Sequence, residues 1–315
     1  MSNTNPPFKT VVTGGAGFIG SSIADRLVNV GCKVTVIDDL STGHITNITH
    51  LLQNKQLQFI EGSITDRQLL QRAFYGSEVV FHQAAVPSVP RSISDPLTAH
   101  QVNATGTINV LCAAKDEGVR KVIYASSSSV YGDLPSLPKR ESAKVKPLSP
   151  YAVSKLTGEY YCGVFNQIYG LATACLRYFN VYGPRQDPKS EYAAVIPRFI
   201  SAIKSDKAPI IYGDGDQTRD FTFVEDVVSA NILAATSDAT GVFNIGSGQS
   251  ISITDLAYLI AGLTGKSYIK PIYEKARRGD IKHSLADISK ARSFGYEPCF
   301  NLEQGIRTTI REFRV

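Results

Sequence analysis

The stretch Thr13-Gly14-Gly15-Ala16-Gly17-Phe18-Ile19-Gly20 decides the fold, because it joins a short β-branched run to a helical pattern. Its glycines have the spacing Gly-x-x-Gly-x-x-Gly. One glycine allows a sharp turn, one lets backbone N–H groups approach a phosphate, and one lets the helix pack close to the strand. The N-terminus of the helix then faces the anion. The stretch therefore predicts a phosphate-binding βα turn that uses Gly14, Gly17, Phe18, Ile19 and Gly20.

The first half of the sequence repeats this strand-then-helix order. Runs typical of buried strands occur at Thr10–Thr13, Val34–Ile37, Leu57–Ile60, Val79–His82, Lys121–Ala125 and Ala172–Leu176. Helical patterns lie between them at Ile19–Val30, Asp66–Phe74, Pro96–Glu117 and Tyr151–Tyr169. Strands separated by helices form parallel βαβ units with helices on both faces. We predict an α/β fold with a Rossmann-type, doubly wound parallel sheet over residues 1–180.

The pattern changes after about Tyr182, where Gly/Pro-rich loops separate shorter helical patterns. These helices are predicted near Val195–Lys204, Ile253–Leu263 and Leu302–Arg314. Residues 181–315 are expected to form mainly a second, smaller α/β lobe that binds the substrate. Segments near 220–245 and 284–293 are expected to return and complete the sheet.

Composition excludes several classes of protein. A net charge of +5 over 315 residues is too mild and too evenly spread for a nucleic-acid-binding protein. No apolar run approaches the roughly 18–20 residues of a membrane span. The five cysteines are scattered without a Cys-x-x-Cys motif, as expected of free thiols in a reducing compartment, so we predict a cytoplasmic location. No ligand spacing indicates a metal site.

The second predicted strand ends in Val36-Ile37-Asp38-Asp39. A carboxylate at this point can hold both ribose hydroxyls of NAD, and it would repel the 2′-phosphate of NADP. Asp39 adds to that repulsion, and no arginine follows closely to bind a phosphate. We therefore predict NAD as the cofactor.

Tyr151 and Lys155 stand one helical turn apart in the stretch "SPYAVSK". They form the only Tyr-x-x-x-Lys in the sequence, but a chain with 15 tyrosines would contain such a pair by chance, so the context decides. The strand ending at Ala125 runs into the serines 126–129. Ligands of open parallel sheets bind beyond the carboxyl ends of the strands. A helix beginning at Tyr151 can bring the phenol to the same place.

A phenol with its ordinary pKa of about 10 is a poor base at pH 7. An ammonium roughly 5 Å away contributes about 3 kcal/mol at an effective dielectric constant of about 20, or roughly two pKa units. A positive nicotinamide ring would add to this effect. The Tyr151/Lys155 pair therefore indicates proton transfer coupled to hydride chemistry at an alcohol.

With these residues the sequence resembles the extended short-chain dehydrogenase/reductase family. The matching motifs of the N-terminal half are "TGGAGFIGS", "DD", "HQAA" (His82–Ala85), Asn103, the serine strand end and "YAVSK". The C-terminal half adds "LRYFNVYGPRQDP" (Leu176–Pro188), "RDF" (Arg219–Phe221) and "RRGD" (Arg277–Asp280). The resemblance implies further NAD contacts from Asp39, Ser41, Gly43, Ser63, Ile64, Gln83, Ala84, Ala85, Asn103, Tyr151, Lys155 and Tyr178.

The strand end narrows the reaction class. Dehydratases of this family carry an acid pair there and decarboxylases a glutamate, whereas this sequence has Ser128 and Ser129. Ser127, Tyr151 and Lys155 remain, which suffices for oxidation and re-reduction. The sequence is similar to the UDP-sugar 4-epimerases, which invert C4 of the sugar through a 4-keto intermediate. Tyr151 would remove the 4-OH proton, and Ser127 would bond the same oxygen and help relay the proton.

The same resemblance implies a site for a UDP-sugar. Its residues would be Ser88, Arg91, Ser127, Ser128, Tyr151, Asn180, Arg185, Ala194, Val195, Tyr212, Arg219, Arg277, Asp280 and Ser284. Tyr212 would stack on uracil, and Arg185, Arg219 and Arg277 would hold the diphosphate, since a guanidinium donates two bonds at once.

The resemblance also implies that sugar choice depends on a gate position beside C2 of the sugar, which Ser284 occupies and where glucose/galactose-only members carry a bulky tyrosine. The small side chain leaves room for an N-acetyl group. UDP-GlcNAc and UDP-GalNAc are the predicted substrates, with UDP-Glc and UDP-Gal also possible because an open pocket rejects a smaller ligand weakly.

Two departures from the family pattern affect the site. Ser63 replaces an aspartate that contacts adenine in many relatives, and Pro87 replaces a lysine of glucose-type epimerases. Ser88 and Arg91 are expected to contribute sugar contacts in place of that lysine.

Two rival functions stay open. One is a UDP-glucuronate 4-epimerase, in which Arg91 or Arg185 would face the carboxylate. The other is an NAD(H)-sensing regulatory protein without catalysis. The resemblance also implies a homodimer through the helices Pro96–Glu117 and Tyr151–Tyr169.

Overall fold

The computed structural model describes residues 8–187, 194–276 and 281–313. Its strands are β1 (Lys9–Thr13), β2 (Lys33–Asp38), β3 (Leu57–Glu61), β4 (Val79–His82), β5 (Lys121–Ser127), β6 (Ala172–Tyr178), β7 (Val181–Tyr182), β8 (Ile210–Tyr212), β9 (Thr218–Arg219), β10 (Thr222–Phe223), β11 (Gly241–Ile245), β12 (Ile251–Ser252) and β13 (Ile272–Glu274). Its α-helices are α1 (Phe18–Asn29), α2 (Arg67–Phe74), α3 (Val89–Ser94), α4 (Pro96–His100), α5 (Gly106–Asp116), α6 (Pro150–Tyr169), α7 (Val195–Lys204), α8 (Val224–Thr236), α9 (Ile253–Leu263), α10 (Ser289–Arg292) and α11 (Leu302–Glu312).

A seven-stranded parallel sheet forms the centre of the molecule, in the order β11-β6-β5-β4-β1-β2-β3. The predicted Rossmann-type fold is confirmed, and each of the six strand-like runs forms a strand of this sheet. The chain winds outward from β1 in both directions, so the order reverses between β1 and β4. Ligands of such sheets bind at this reversal, beyond the carboxyl ends of the strands.

Apolar clusters cover both faces of the sheet and bury most residues of its central strands. Ile23, Leu27 and Val36 belong to one cluster, and Phe74, Val80 and Leu111 to the other. A third cluster draws its buried residues from 182–306, including Phe199, Ile211 and Leu256 of α7, β8 and α9. This separate core supports the predicted smaller lobe, whose exact boundaries remain a prediction.

Helix α8 and strand β11 connect the two halves of the sequence. Strand β11 pairs in parallel with β6 at the edge of the sheet, as expected for a chain that crosses back. Helix α8 packs against α1, which belongs to the first half of the sequence. The sequence reasoning named no helix at 224–236, so α8 is an addition made by the structure.

The predicted single helix Pro96–Glu117 is interrupted. It runs as α4, then as a π-helical segment Gln101–Thr105, then as α5. Such insertions often accompany functional sites. Here the π segment carries Asn103, whose amide donates to the Val86 carbonyl at 3.2 Å and to the Ser154 hydroxyl at 3.1 Å.

Helix α6 is held against β5 by close packing and by a buried ion pair. The Tyr124 hydroxyl donates to the Lys155 carbonyl at 3.3 Å, and any side chain at Gly158 would collide with that tyrosine. Further along α6, the Glu159 carboxylate accepts from the Ser126 hydroxyl at 2.5 Å and from Arg177 of β6 at 2.7 and 2.8 Å. Both side chains of this ion pair are buried: 5% of the Arg177 side chain and 3% of the Glu159 side chain are exposed. These contacts set the position of the helix that carries Tyr151.

Three general features concern the described residues. All five cysteines are free. None of the described helices is long and apolar enough to cross a membrane. Within the same ranges, no group of three or more His, Cys, Asp or Glu side chains is arranged to hold a metal ion.

Candidate active site

The glycine turn after β1 leaves open space above the N-terminus of α1. Gly14 has a φ of +69°, and a Cβ there would lie 2.6 Å from the backbone nitrogen of Ala84. Gly17 is the N-cap residue of α1, and no side chain bonds the helix end. The first N–H groups of the helix are therefore available to an anion, as the sequence predicts.

Asp38 ends β2 beside this turn. Its two carboxylate oxygens accept from the backbone N–H groups of Ala16 and Leu40, each at 2.9 Å. Burial raises the pKa of Asp38, and these backbone bonds oppose the rise. A carboxylate has about four acceptor positions, so these bonds do not use all of them and a ribose hydroxyl can still be bound.

A cavity of about 540 Å³ extends from the glycine turn to α6. The predicted cofactor residues that line it are Gly14, Gly17, Phe18, Ile19, Gly20, Asp38, Asp39, Ser41, Gly43, Ile64, Gln83, Ala84, Ala85, Tyr151, Lys155 and Tyr178. The predicted substrate residues that line it are Ser88, Arg91, Tyr151, Arg185 and Ala194. One cavity thus brings together residues from distant parts of the sequence.

The described residues fit NAD. The uncapped end of α1, the turn at Gly14 and Gly17 and the carboxylate of Asp38 all belong to the cavity, and they are the groups that would hold a pyrophosphate and an adenosine ribose. Tyr151 and Lys155 line the same cavity.

Tyr151 and Lys155 come to the cavity because α6 begins at the right place. The Ser149 hydroxyl caps the helix by accepting from the Ala152 N–H at 3.1 Å, and Pro150 occupies its first turn. The Lys155 ammonium donates to the Ala125 carbonyl at 2.9 Å and lies 5.9 Å from the centre of the Tyr151 ring. Ser127 ends β5 directly beyond Ala125.

The electrostatics of the free protein differ from the sequence expectation. Burial raises the pKa of Tyr151, and the interaction with Ser127 only partly opposes this. Burial also lowers the pKa of Lys155 to about 7, because the ammonium has no carboxylate partner among its described contacts. The predicted lowering of the Tyr151 pKa by Lys155 is thus absent here, since desolvation outweighs the pairwise attraction.

Two predicted cofactor residues do not face the cavity. Asn103 is buried, and its amide oxygen accepts from the Val86 N–H at 2.7 Å. Its role is therefore to position Val86, which lines the cavity. Ser63 accepts from the Thr65 hydroxyl at 3.0 Å, while its neighbour Ile64 lines the cavity.

Arg185 lies on the cofactor side of the cavity. Its guanidinium bonds the Ser21 hydroxyl at 3.2 Å and pairs with the Asp25 carboxylate, both on α1. This placement differs from the predicted contact with the substrate diphosphate, because α1 belongs to the cofactor half. Asn180 has a φ of +32° and donates to the Asp220 carbonyl at 2.8 Å.

The remaining predicted substrate residues lie mostly in the smaller lobe. Tyr212 ends β8, with the Arg198 guanidinium 5.4 Å from its ring centre. Arg219 in β9 donates to the Thr218 carbonyl at 2.9 Å, and the Ser284 N–H bonds that same carbonyl at 3.0 Å. Val195 begins α7, and Ser128 begins the 3₁₀ turn after β5. Arg277 and Asp280 lie outside the described residues.

Sequence reasoning missed Asn231, which lies under the cavity. Its side chain is fully buried in α8 and bonds the Tyr178 hydroxyl at 2.8 Å and the Gln83 amide at 3.2 Å. A polar residue on the apolar face of a helix can indicate a position near a site, but the helix that carries Asn231, α8, was not predicted from the sequence.

The lowered pKa of Lys155 predicts a measurable dependence of stability on pH. Its folded pKa of about 7 lies below its ordinary value of 10.5, so the unfolded chain binds the extra proton between these values. The cost of burying the ammonium is therefore complete below pH 7 and disappears as the pH rises. Without NAD, Lys155→Met should be more stable than the wild type at pH 6. This advantage should shrink by up to about 1.4 kcal/mol per pH unit above pH 7.

Urea unfolding between pH 6 and 9 measures this difference, with the exposed Lys33→Met as the matched control. A stability difference between Lys155→Met and wild type that is the same at pH 6 and pH 9 would contradict the prediction.

Comparison with known proteins agrees with this geometry. Residues 10–246 match the family model described as NAD dependent epimerase/dehydratase family. A putative UDP-glucose 4-epimerase of Methanocaldococcus jannaschii is 41% identical over 305 residues, covering 95% of this chain and 96% of that protein.

Solved structures share the whole fold. A UDP-N-acetylglucosamine 4-epimerase from Methanobrevibacter ruminantium, in complex with UDP-N-acetylmuramic acid, is 44% identical with a TM-score of 0.93, covering 97% of this chain and 98% of that one. A UDP-glucose 4-epimerase from Thermotoga maritima, with UDP-glucose, is 38% identical with a TM-score of 0.92, covering 96% and 98%. The predicted cofactor, NAD, is confirmed by the family. The chain belongs to the NAD-dependent epimerase/dehydratase family and, within it, to the UDP-sugar 4-epimerases of the extended short-chain dehydrogenase/reductase fold.

Proposed function

We propose that the protein interconverts UDP-GlcNAc and UDP-GalNAc, and also accepts UDP-Glc and UDP-Gal. The observation that carries this proposal is the gathering of Ser127, Tyr151 and Lys155 at the end of β5: Tyr151 and Lys155 line the cavity, Ser127 bonds Tyr151, and serines stand where other reaction classes need carboxylates. The nearby Glu159 carboxylate cannot serve as the missing acid, because Arg177 and Ser126 already bond it.

The residues of this chain would divide the proton chemistry between them. Bound NAD supplies the hydride acceptor and donor for C4 of the sugar. The Tyr151 phenolate takes the 4-OH proton, and Ser127 bonds the same oxygen. The 4-keto sugar turns about its diphosphate linkage, so that hydride would return to the opposite face of C4, and Tyr151 returns the proton to O4. The configuration at C4 is inverted.

Lys155 has two tasks in this scheme. Its positive charge stabilises the Tyr151 phenolate, and its ammonium can donate to the nicotinamide ribose. Burial alone works against the first task, since it raises the pKa of Tyr151 and lowers that of Lys155. The positive nicotinamide ring is therefore needed to bring the pKa of the phenol toward neutrality.

The N-acetylated sugars are proposed because of Ser284. Its small side chain leaves space beside C2 of the sugar, and its backbone is fixed by the bond to Thr218. The rival function, a UDP-glucuronate 4-epimerase, is weaker, because Arg185, one of the two cations that could face the carboxylate, is paired with Asp25.

The five free cysteines support the proposed cytoplasmic location.

Tyr151→Phe should abolish turnover while NAD stays bound. Removing a general acid–base group typically costs about 10²–10⁴-fold in rate, and here the variant lacks the hydroxyl altogether. Epimerase assays and the cofactor content of the purified protein measure the two effects. Tyr75→Phe, an exposed tyrosine outside α6 and outside the cavity, is the matched control. An inactive wild type that binds NAD would instead favour the NAD(H)-sensing alternative.

The gate hypothesis predicts a change of substrate range in Ser284→Tyr. The tyrosine should remove at least about 90% of the activity toward UDP-GlcNAc and UDP-GalNAc, because a bulky side chain fills the space of the N-acetyl group, and should spare UDP-Glc and UDP-Gal. Product analysis by chromatography for each UDP-sugar measures this, with Ser284→Ala as the control of small volume. Wild type that converts UDP-Glc but not UDP-GlcNAc would refute the gate, and turnover of UDP-glucuronate alone would favour that rival.

We also propose a homodimer that forms through the predicted helices Pro96–Glu117 and Tyr151–Tyr169, the second of which is α6. Helix α6 exposes an apolar stripe of Val153, Tyr160, Val164 and Ile168, with 43–67% of each residue exposed. Leu97 of α4, which packs beside α6, is 81% exposed. Contiguous apolar faces of this kind are typical of protein interfaces.

Replacing Leu97 and Val164 together by aspartate should convert the dimer to a monomer, because two charges would then be buried without partners. Light scattering after size-exclusion chromatography measures the mass. Tyr258→Asp, an exposed aromatic on α9, is the control. A wild type that is monomeric at micromolar concentration would overturn the proposal.

A further inference from the structure

Ser129, to which neither the motif analysis nor the proposed mechanism gives a role, contacts the catalytic serine twice. Ser127 is the N-cap residue of the 3₁₀ turn Ser128–Tyr131 that follows β5. Its hydroxyl oxygen accepts from the Ser129 N–H at 3.2 Å and from the Ser129 hydroxyl at 2.9 Å. The cap fixes the rotamer of Ser127, and the hydroxyl adds a second bond to the same oxygen.

These two bonds decide what Ser127 can still do. A serine hydroxyl has two acceptor lone pairs and one hydrogen. Both lone pairs are taken by Ser129, so the hydrogen is what remains for Tyr151 and for a ligand. Ser127 can donate to a reacting oxygen, but it has no free lone pair with which to accept a proton from one.

We propose that Ser129 is a positioning residue that fixes Ser127 as a hydrogen-bond donor, whose single hydrogen is shared between the Tyr151 phenolate and O4 of the sugar. This inference rests on the proposed function and deepens it. The proton of the 4-hydroxyl then passes directly to the phenolate oxygen of Tyr151, and bound NAD would accept the hydride from C4. Once the ketone has turned, the hydride would return to the opposite face of C4, and Tyr151 returns the proton to O4. No step passes through Ser127, in contrast to the proton relay expected from the sequence.

Other titratable groups lie near the Tyr151 phenol, and every variant below leaves them unchanged. Arg91 of α3, Lys155 of α6 and Tyr178 of β6 line the same cavity, and the buried Tyr124 of β5 interacts with Tyr151. His82 of β4 interacts with Lys155. A change confined to Ser129 therefore reports on the hydroxyl pair itself.

Two substitutions at Ser129 and one control elsewhere separate the contribution of the Ser129 hydroxyl from that of its backbone N–H. Ser129→Ala removes the hydroxyl and keeps the N–H that caps the turn. Ser129→Thr keeps both donors and tests rescue. Ser142→Ala, an exposed serine in a loop, is the matched control. Thermal unfolding and NAD content verify each protein, and Ser129→Cys replaces Ser129→Ala if the latter does not fold.

The first readout is the pH profile of kcat with UDP-GlcNAc and UDP-Glc. In Ser129→Ala, Ser127 can turn its hydrogen away from the phenolate, so the acid limb should move to higher pH by about 0.5–1 unit. Turnover at pH 7 should fall by up to about three- to tenfold, the size of one hydrogen bond, and should recover at high pH. Ser129→Thr and Ser142→Ala should keep the wild-type profile.

The second readout does not depend on turnover. The tyrosinate absorbance of the NAD-bound protein, taken as the difference between each form and its Tyr151→Phe counterpart, gives the titration of Tyr151 itself. Its midpoint should rise by the same 0.5–1 unit in Ser129→Ala, within the range of one hydrogen bond. A midpoint and a pH profile that both superimpose on the wild type would overturn the inference. So would a folded Ser129→Thr that behaves like Ser129→Ala.

Different results would reject the proposed function and the role of Ser129. A wild type without epimerase activity on any UDP-sugar would reject the proposed function. An active wild type whose Tyr151 titration ignores Ser129 would reject the role of Ser129 alone.

Discussion

The position of α6 against β5 is the constraint on which the active site depends. The buried pair of Glu159 and Arg177 links α6 to β6, and the bond from Ser126 to Glu159 links it to β5. Breaking such a pair from one side typically costs about 3–5 kcal/mol, because the remaining charge stays buried without a partner. Tyr151 lies on the same face of α6, two turns before Glu159, so its distance from the end of β5 is set by these contacts.

Arg177 and Lys155 are two buried cations close to α6, and their surroundings shift their pKa values in opposite directions. Burial alone would lower the pKa of Arg177, but its bonds to Glu159 raise it, so it stays charged. Lys155 has a carbonyl at 2.9 Å and two aromatic rings beside it, and burial lowers its pKa to about 7. A cation near its titration point responds to a bound dinucleotide, which makes Lys155 suited to a reaction cycle. Arg177 is suited to holding the fold.

The residues predicted to bind the cofactor and those predicted to bind the substrate lie in different parts of the fold. The phosphate turn, Asp38 and Tyr178 belong to the sheet, and Tyr212 and Ser284 to the smaller lobe. Arg185 connects the two, because the loop after β7 returns to α1 and pairs there with Asp25. A residue assigned to the substrate by its motif can thus contact the cofactor half once the chain is folded.

The sequence alone determined the parallel sheet, the phosphate turn and the Tyr151/Lys155 pair, since these depend on local spacing: glycines between a strand and a helix, and two side chains one helical turn apart. The tertiary structure alone decided the rest. The interruption of the helix at Asn103, the placement of Asn231 beneath the cavity and the pKa of Lys155 depend on burial and on partners distant in the sequence. Desolvation is a property of the assembled environment, and no motif specifies it.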